Sequence, residues 1–123
     1  CLAELGQYEE ALNYFFKLDF IESNCVKAWR GIGWCSFISL KYEQAMKYYE
    51  KIIEHKPLAI DYMNAGHVAW VMGDIQKASV FYGKAITASG NRERFLEMFH
   101  KDEEALLTQG IREEDIPLML DLL

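Results

Sequence analysis

A chain of 123 residues with 51% hydrophobic side chains, spread evenly, is too apolar for disorder, and none of its apolar runs approaches the roughly 18 residues of a membrane span. Thirteen Lys and Arg stand against nineteen Asp and Glu, for a formal charge of −6; the scattered basic residues argue against nucleic acid, and a basic or neutral peptide is the easier partner. Cys1, Cys25 and Cys35 are odd in number and lack CxxC spacing, so they read as thiols of a reducing, cytoplasmic setting rather than as a disulfide framework or a zinc site.

In chain order, residues 1–5 read as the last turn or two of a helix that Gly6 ends, glycine being the residue most able to take the left-handed cap conformation. Because the first residue is Cys rather than Met, an excised segment is expected, with localisation signals outside it. A helix is predicted over 7–20, where Tyr8, Ala11, Leu12, Phe15 and Leu18 recur at three- and four-residue steps. Residues 21–25 form a short polar turn. The next helix, 26–40, carries Trp29, Ile32, Trp34, Phe37, Ile38 and Leu40 on nearly all sides, which calls for packing on more than one face. A tight turn leads to a helix over 41–55, closed by Pro57 because proline disfavours helix in the residue before it. Helices over 59–72 and 75–88 follow, joined at Gly73 and Asp74, and Ser89, Gly90 and Asn91 end the periodic part.

Three of these stretches share one pattern. KYEQAMKYYEKIIE, residues 41–54, aligns through Ala45 with QYEEALNYFFKLDF around Ala11 and DIQKASVFYGKAIT around Ala78, and the alanines lie 34 and 33 residues apart. Each alanine is followed by two aromatics, Tyr14 and Phe15, Tyr48 and Tyr49, or Phe81 and Tyr82, and then by Lys17, Lys51 or Lys84. A fixed period of this length is the signature of stacked repeats. Gly33, Gly66, Ala45, Ala78 and Ala85 are small residues at equivalent places where helices can approach closely, with Trp29, Tyr62, Tyr49 and Tyr82 filling the spaces between.

Trp29-x2-Ile32-Gly33-x2-Ser36, then Tyr42, Ala45, Tyr49, Ile52 and Pro57, resembles the tetratricopeptide repeat. Ser36 stands for the usual tyrosine, and Leu40 stands where a turn glycine is common. Tyr62, Ala65, Gly66 and Ala69 hold the corresponding places of the next unit, and the first unit has Ser23 in place of the proline. The resemblance implies an all-α fold, a right-handed α-solenoid of helix-turn-helix repeats with a C-terminal helical cap. Residues 1–25 would be the second helix of a truncated first repeat, 26–58 and 59–91 two further repeats, and 92–123 the cap. The truncated repeat leaves helix surface uncovered, so self-association through it is expected.

Within 92–123, Phe95, Met98 and Phe99 share a face, Asp102 is placed to cap a short helix ended by Gly110, and Asp115 to cap a last helix with Pro117 in its first turn. The acidic runs 102–104 and 113–115 fall where helices begin, which their charge stabilises. The ending GIREEDIPLMLDLL is similar to C-terminal segments of bacterial repeat proteins.

Candidates for chemistry are few. His55 and His100 fall near helix ends, and His67 lies in an apolar helix where no Cys or acidic residue at a repeat-equivalent position meets it. No H-x3-H, HExxH or CxxC spacing and no phosphate-cradling glycine loop is present, so neither metal, cofactor nor enzymatic activity is expected. The informative set is a second stripe on each unit's first helix: Lys27, Arg30, Trp34, Phe37 and Ile38, then Ile60, Met63, His67, Trp70 and Val71. In tetratricopeptide proteins the matching positions line a concave groove, so the resemblance implies that Lys27, Arg30, Trp34, Phe37, Ile38, Met63, His67 and Trp70 face a partner peptide or helix. The family's carboxylate clamp is not reproduced: Arg30 and Asn64 hold two of its positions, but Trp34 replaces its key amide. Hydrophobic anchoring with Lys27 and Arg30 as rim charges is expected instead. A protein-interaction module follows, without membrane or nucleic-acid partners. The alternatives are a dedicated chaperone like the acidic three-repeat chaperones of type III secretion, and the regulatory arm of a larger enzyme.

Overall fold

The computed structural model describes residues 2–22 and 25–123, with side chains from Gln7 onward. Cys1, Ser23 and Asn24 lie outside the described residues, and with them the serine expected at the proline position and the middle of the 21–25 turn. Among the described residues every regular element is an α-helix: α1 (Leu2–Ile21), α2 (Val26–Ile38), α3 (Tyr42–Ile53), α4 (Ala59–Val71), α5 (Ile75–Ser89), α6 (Arg92–Lys101), α7 (Glu103–Thr108) and α8 (Asp115–Asp121). None is long and apolar enough to cross a membrane. The chain divides into two compact units, Cys1–Lys56 and Pro57–Leu123.

In the first unit α1 packs on α2 and α2 on α3. The break expected at Gly6 is absent, and α1 is continuous through it. An interior glycine costs a helix only about 1 kcal/mol against alanine, and the helix formers on both sides of Gly6 outweigh that. Leu12, Ile32 and Cys35 form one cluster of its core, with Tyr8, Ala11, Phe15 and Tyr48 against it. Burial pushes the Cys35 thiol above its ordinary value, which keeps it protonated. The Trp29 indole nitrogen donates to Asp19 Oδ1 at 2.7 Å, tying α2 to α1, while Lys51 Nζ lies 4.5 Å from the Trp29 ring centroid and 5.0 Å from that of Tyr48. On α1, Tyr14, Phe20 and Ile21 stay in solvent.

The close approaches expected at the glycines are made by rings rather than by neighbouring backbones. A methyl at Gly33 would lie 2.9 Å from Tyr49 Cε2, and one at Gly31 would lie 2.4 Å from Phe15 Cε2.

The α2–α3 and α4–α5 turns close in the same way. Lys41 N donates to Ser36 O at 2.8 Å, and Asp74 N to Ala69 O at 2.9 Å. Each needs one residue in the left-handed region, Gly73 (φ 90°) in the second turn and Leu40 (φ 67°) in the first. A side chain there costs about 1–2 kcal/mol, and the Leu40 side chain, 64% exposed, recovers little by packing. Leu40→Gly should therefore raise stability by about 1 kcal/mol, read as a higher urea midpoint with unchanged slope. A lower midpoint would mean that the Leu40 side chain contributes more than its backbone strain costs.

In the second unit α4 and α5 pack as an antiparallel-type hairpin around Gly73, and α6 packs on both, followed by α7. Asp74 Oδ1 accepts from Lys77 N at 3.0 Å to start α5, Gly90 (φ 94°) ends it, and Asn91 Oδ1 accepts from Arg94 N at 2.8 Å to start α6. Two expected caps are not made. Asp102 stands at the start of α7 without a side-chain cap bond, and Asp115 lies inside the first turn of α8, where its carboxylate accepts from Arg112 instead. Both carboxylates are engaged elsewhere, Asp115 by the Arg112 guanidinium and Asp102 by the buried His67 imidazole. Met119 and Ile116 bury the inner side of α8, and Arg92 Nη2 donates to Leu120 O at 2.9 Å.

Candidate functional site

The α4 sequence AIDYMNAGHVAWV is apolar on almost every side, so burial of this helix carries His67 into the interior. Gly66 decides what His67 meets there. With no side chain at that position the Tyr82 ring of α5 lies directly on α4; a methyl at Gly66 would sit 2.7 Å from Tyr82 Cδ1 and Cε1. The ring is thereby placed so that its hydroxyl reaches His67 Nδ1 at 2.6 Å. On the other side, His67 Nε2 is 3.0 Å from Asp102 Oδ2, at the corner between α6 and α7. An ionised carboxylate only accepts, so Nε2–H donates to Asp102; in the tautomer protonated at Nε2 alone, Nδ1 accepts from the Tyr82 hydroxyl.

Around this chain of hydrogen bonds stand Phe99, with its ring 5.5 Å from His67 and 5.6 Å from Tyr82, and Phe95, 5.8 Å from Tyr82. His67, Tyr82, Phe95 and Phe99 are all fully buried. The order carboxylate, imidazole, hydroxyl is that of a proton relay, and its hydroxyl end belongs to the fully buried Tyr82. This chain of hydrogen bonds ties three elements, α4, α5 and the α6–α7 corner, through one imidazole. No acidic residue was expected to meet His67 from a repeat-equivalent position; its partner, Asp102, comes instead from beyond the periodic part, 35 residues away. The signal available in the sequence was the histidine itself, because a polar group inside an apolar helix needs partners.

Burial, and then the negative charge of Asp102, hold the Tyr82 phenol well above its ordinary value of 10.0. An acid raised in this way keeps its proton in the folded chain while the unfolded chain loses it. The contribution is intact below about pH 10 and falls above it by up to about 1.4 kcal/mol per pH unit. Urea unfolding of the parent and of Tyr82→Phe at rising alkaline pH should show a shallower loss for the phenylalanine chain; equal slopes would show that Tyr82 does not hold its proton on folding.

The stripe residues are unevenly reachable. On α2, Lys27 is exposed and Arg30, Trp34 and Ile38 are half-buried, whereas Phe37 is fully buried between Trp34 at 5.5 Å and Tyr42 at 6.0 Å. On α4, Met63, His67 and Trp70 are buried, and Ile60 and Val71 are the more open members of the stripe. Trp70 lies against Phe99 and Tyr82.

A family model described as the tetratricopeptide repeat matches residues 62–92. The chain carries a tetratricopeptide repeat. The matched segment takes in most of α4, all of α5 and the first residue of α6, so Gly66, His67, Trp70 and Tyr82 all belong to the repeat. No curated protein matches the chain. Tetratricopeptide repeats mediate protein–protein interaction in general, and in that general sense the chain is a protein-interaction module.

Proposed function

We propose that the module binds a peptide or helix of a partner protein on the face of α2 that carries Lys27, Arg30, Trp34 and Ile38, and that it does so without catalysis. The observation that carries this reading is Trp34. It is a large aromatic left half-open beside the buried Phe37, with an exposed lysine and a guanidinium on the same face. A desolvated aromatic anchor with charges at its rim is the arrangement in which a few residues supply most of the binding energy.

The test is affinity capture from a lysate of the native cell, with the parent chain beside an Arg30→Glu, Trp34→Ala variant whose far-ultraviolet circular dichroism matches the parent. A protein held by the parent should be retained at least about tenfold less by the variant. Equal retention by both chains would remove the α2 face as the binding surface.

A further inference from the structure

A second surface lies in the unit Pro57–Leu123, where α8 stands beside the α4–α5 turn. A cleft of about 460 Å³ opens there, lined by Trp70, Ile75, Leu118, Met119 and Leu122, with Asp115 and Asp121 among its walls. Met119 and Trp70 form its floor, both nearly closed to solvent, while Ile75, Leu118 and Leu122 are 53%, 63% and 64% exposed. Leu118 and Leu122 are one helical turn apart, so they form a single ridge along α8, with Asp121 three residues from Leu118. Three large aliphatic side chains open on one cleft make an apolar patch that an isolated chain leaves in water at a cost.

The two charged residues that line the cleft, Asp115 and Asp121, are both acidic. Of the basic side chains nearby, Arg92 donates to Leu120 O at 2.9 Å, and Arg112 stands beside Asp115. The Arg112 guanidinium is already engaged, 3.2 Å from Glu114 and 3.1 Å from Asp115. A partner reaching Ile75, Leu118 and Leu122 therefore meets a negative field, which favours cations and disfavours acidic segments.

We infer that this cleft takes a basic amphipathic segment of a partner protein, with an aliphatic or aromatic side chain between Ile75 and the Leu118/Leu122 ridge and Lys or Arg beside Asp121. This goes beyond the α2 reading and does not rest on it, since neither Arg30 nor Trp34 lines the cleft. At about 1.5 Å per residue, α8 offers some 10 Å of ridge, so the complementary segment is one or two helical turns long.

The probe is a fluorescein-labelled helical peptide of leucine and lysine, titrated by fluorescence anisotropy against the whole chain, beside the same peptide with glutamate for each lysine. The lysine peptide should bind at least about tenfold more tightly than the glutamate peptide. Leu118→Ser with Leu122→Ser should weaken it about tenfold or more, and Asp121→Lys about three- to tenfold. Glu9→Lys, a charge reversal of the same size on α1, should leave it unchanged. All three substituted side chains of the cleft are exposed, and circular dichroism of each variant checks that α8 is retained. The inference is overturned if the glutamate peptide binds as tightly, if the serine variant binds like the parent, or if Glu9→Lys weakens binding as much as Asp121→Lys. It is also overturned if sedimentation shows the parent to be a dimer that the serine variant breaks, since a second copy would then fill the cleft.

Discussion

A His67→Leu chain is expected to lose about 2–4 kcal/mol of unfolding free energy, and a His67→Leu, Tyr82→Phe chain to regain about 1–2 kcal/mol of it. Leucine is close to histidine in size, so the packing against Phe99 survives and the loss is polar in origin. Removing the imidazole leaves the Tyr82 hydroxyl, whose residue is fully buried, without its acceptor at 2.6 Å. A buried hydroxyl in that state costs about 1–3 kcal/mol. Asp102 also loses its donor, but its side chain is 23% exposed and water replaces part of the bond. Deleting the hydroxyl as well removes the orphaned group, which is why the second substitution restores stability instead of adding to the damage. Urea unfolding of the parent, both single variants and the double variant gives the coupling energy directly. If the double variant loses the sum of the two single losses, the Tyr82–His67 bond is not what holds this region.

Gly66→Ala should cost about 2–3 kcal/mol, although alanine is the better helix former by about 1 kcal/mol. The new methyl would meet the Tyr82 ring at 2.7 Å, so the ring or the helix must move. The ring has nowhere to go: His67 lies at 5.4 Å, Phe99 at 5.6 Å and Phe95 at 5.8 Å, and the hydroxyl is pinned at its far end. Two other glycines set the scale. At Gly83 nothing lies within 4 Å of where an added methyl would sit, and Gly83→Ala should stabilise by about 0.5–1 kcal/mol. At Gly31 the approach to Phe15 is shorter, 2.4 Å, but Phe15 is only half-buried and can swing outward, so Gly31→Ala should cost less than Gly66→Ala. The three midpoints in urea should order as Gly83→Ala above the parent and Gly66→Ala lowest. A Gly66→Ala chain as stable as the parent would mean that the Tyr82 ring is free to retreat.

The helices were legible because periodicity and turn residues are local signals. The course of 26–40, 41–55, 59–72 and 75–88 differs from α2 to α5 by one or two residues at the ends, where helices fray. Leu40 was legible too, as the odd residue at a glycine position, and the structure gives the physical content of that oddity as a left-handed backbone. Local signals also misled. Gly6 has the composition of a stop but lies inside α1, and Asp102 and Asp115 have the spacing of caps but spend their carboxylates on His67 and Arg112. No spacing rule joins residues 67 and 102, because their meeting depends on how α6 folds back over α4. The stripes show the same limit. Periodicity tells which residues share a face; it does not tell that Met63, His67 and Trp70 on that face are covered while Lys27 and Trp34 remain within reach.

Trp70 stacks on Phe99, with ring centroids 6.4 Å apart and an interplanar angle of 28°, and stands edge-on to Tyr82. It is the single indole of residues 57–123, the other two being Trp29 and Trp34. With those two changed to phenylalanine, every photon emitted above the tyrosine band would come from the aromatic cage. Opening of that cage would release the indole to water and shift its emission to the red, so one residue gives an optical clock for the unfolding of this unit alone.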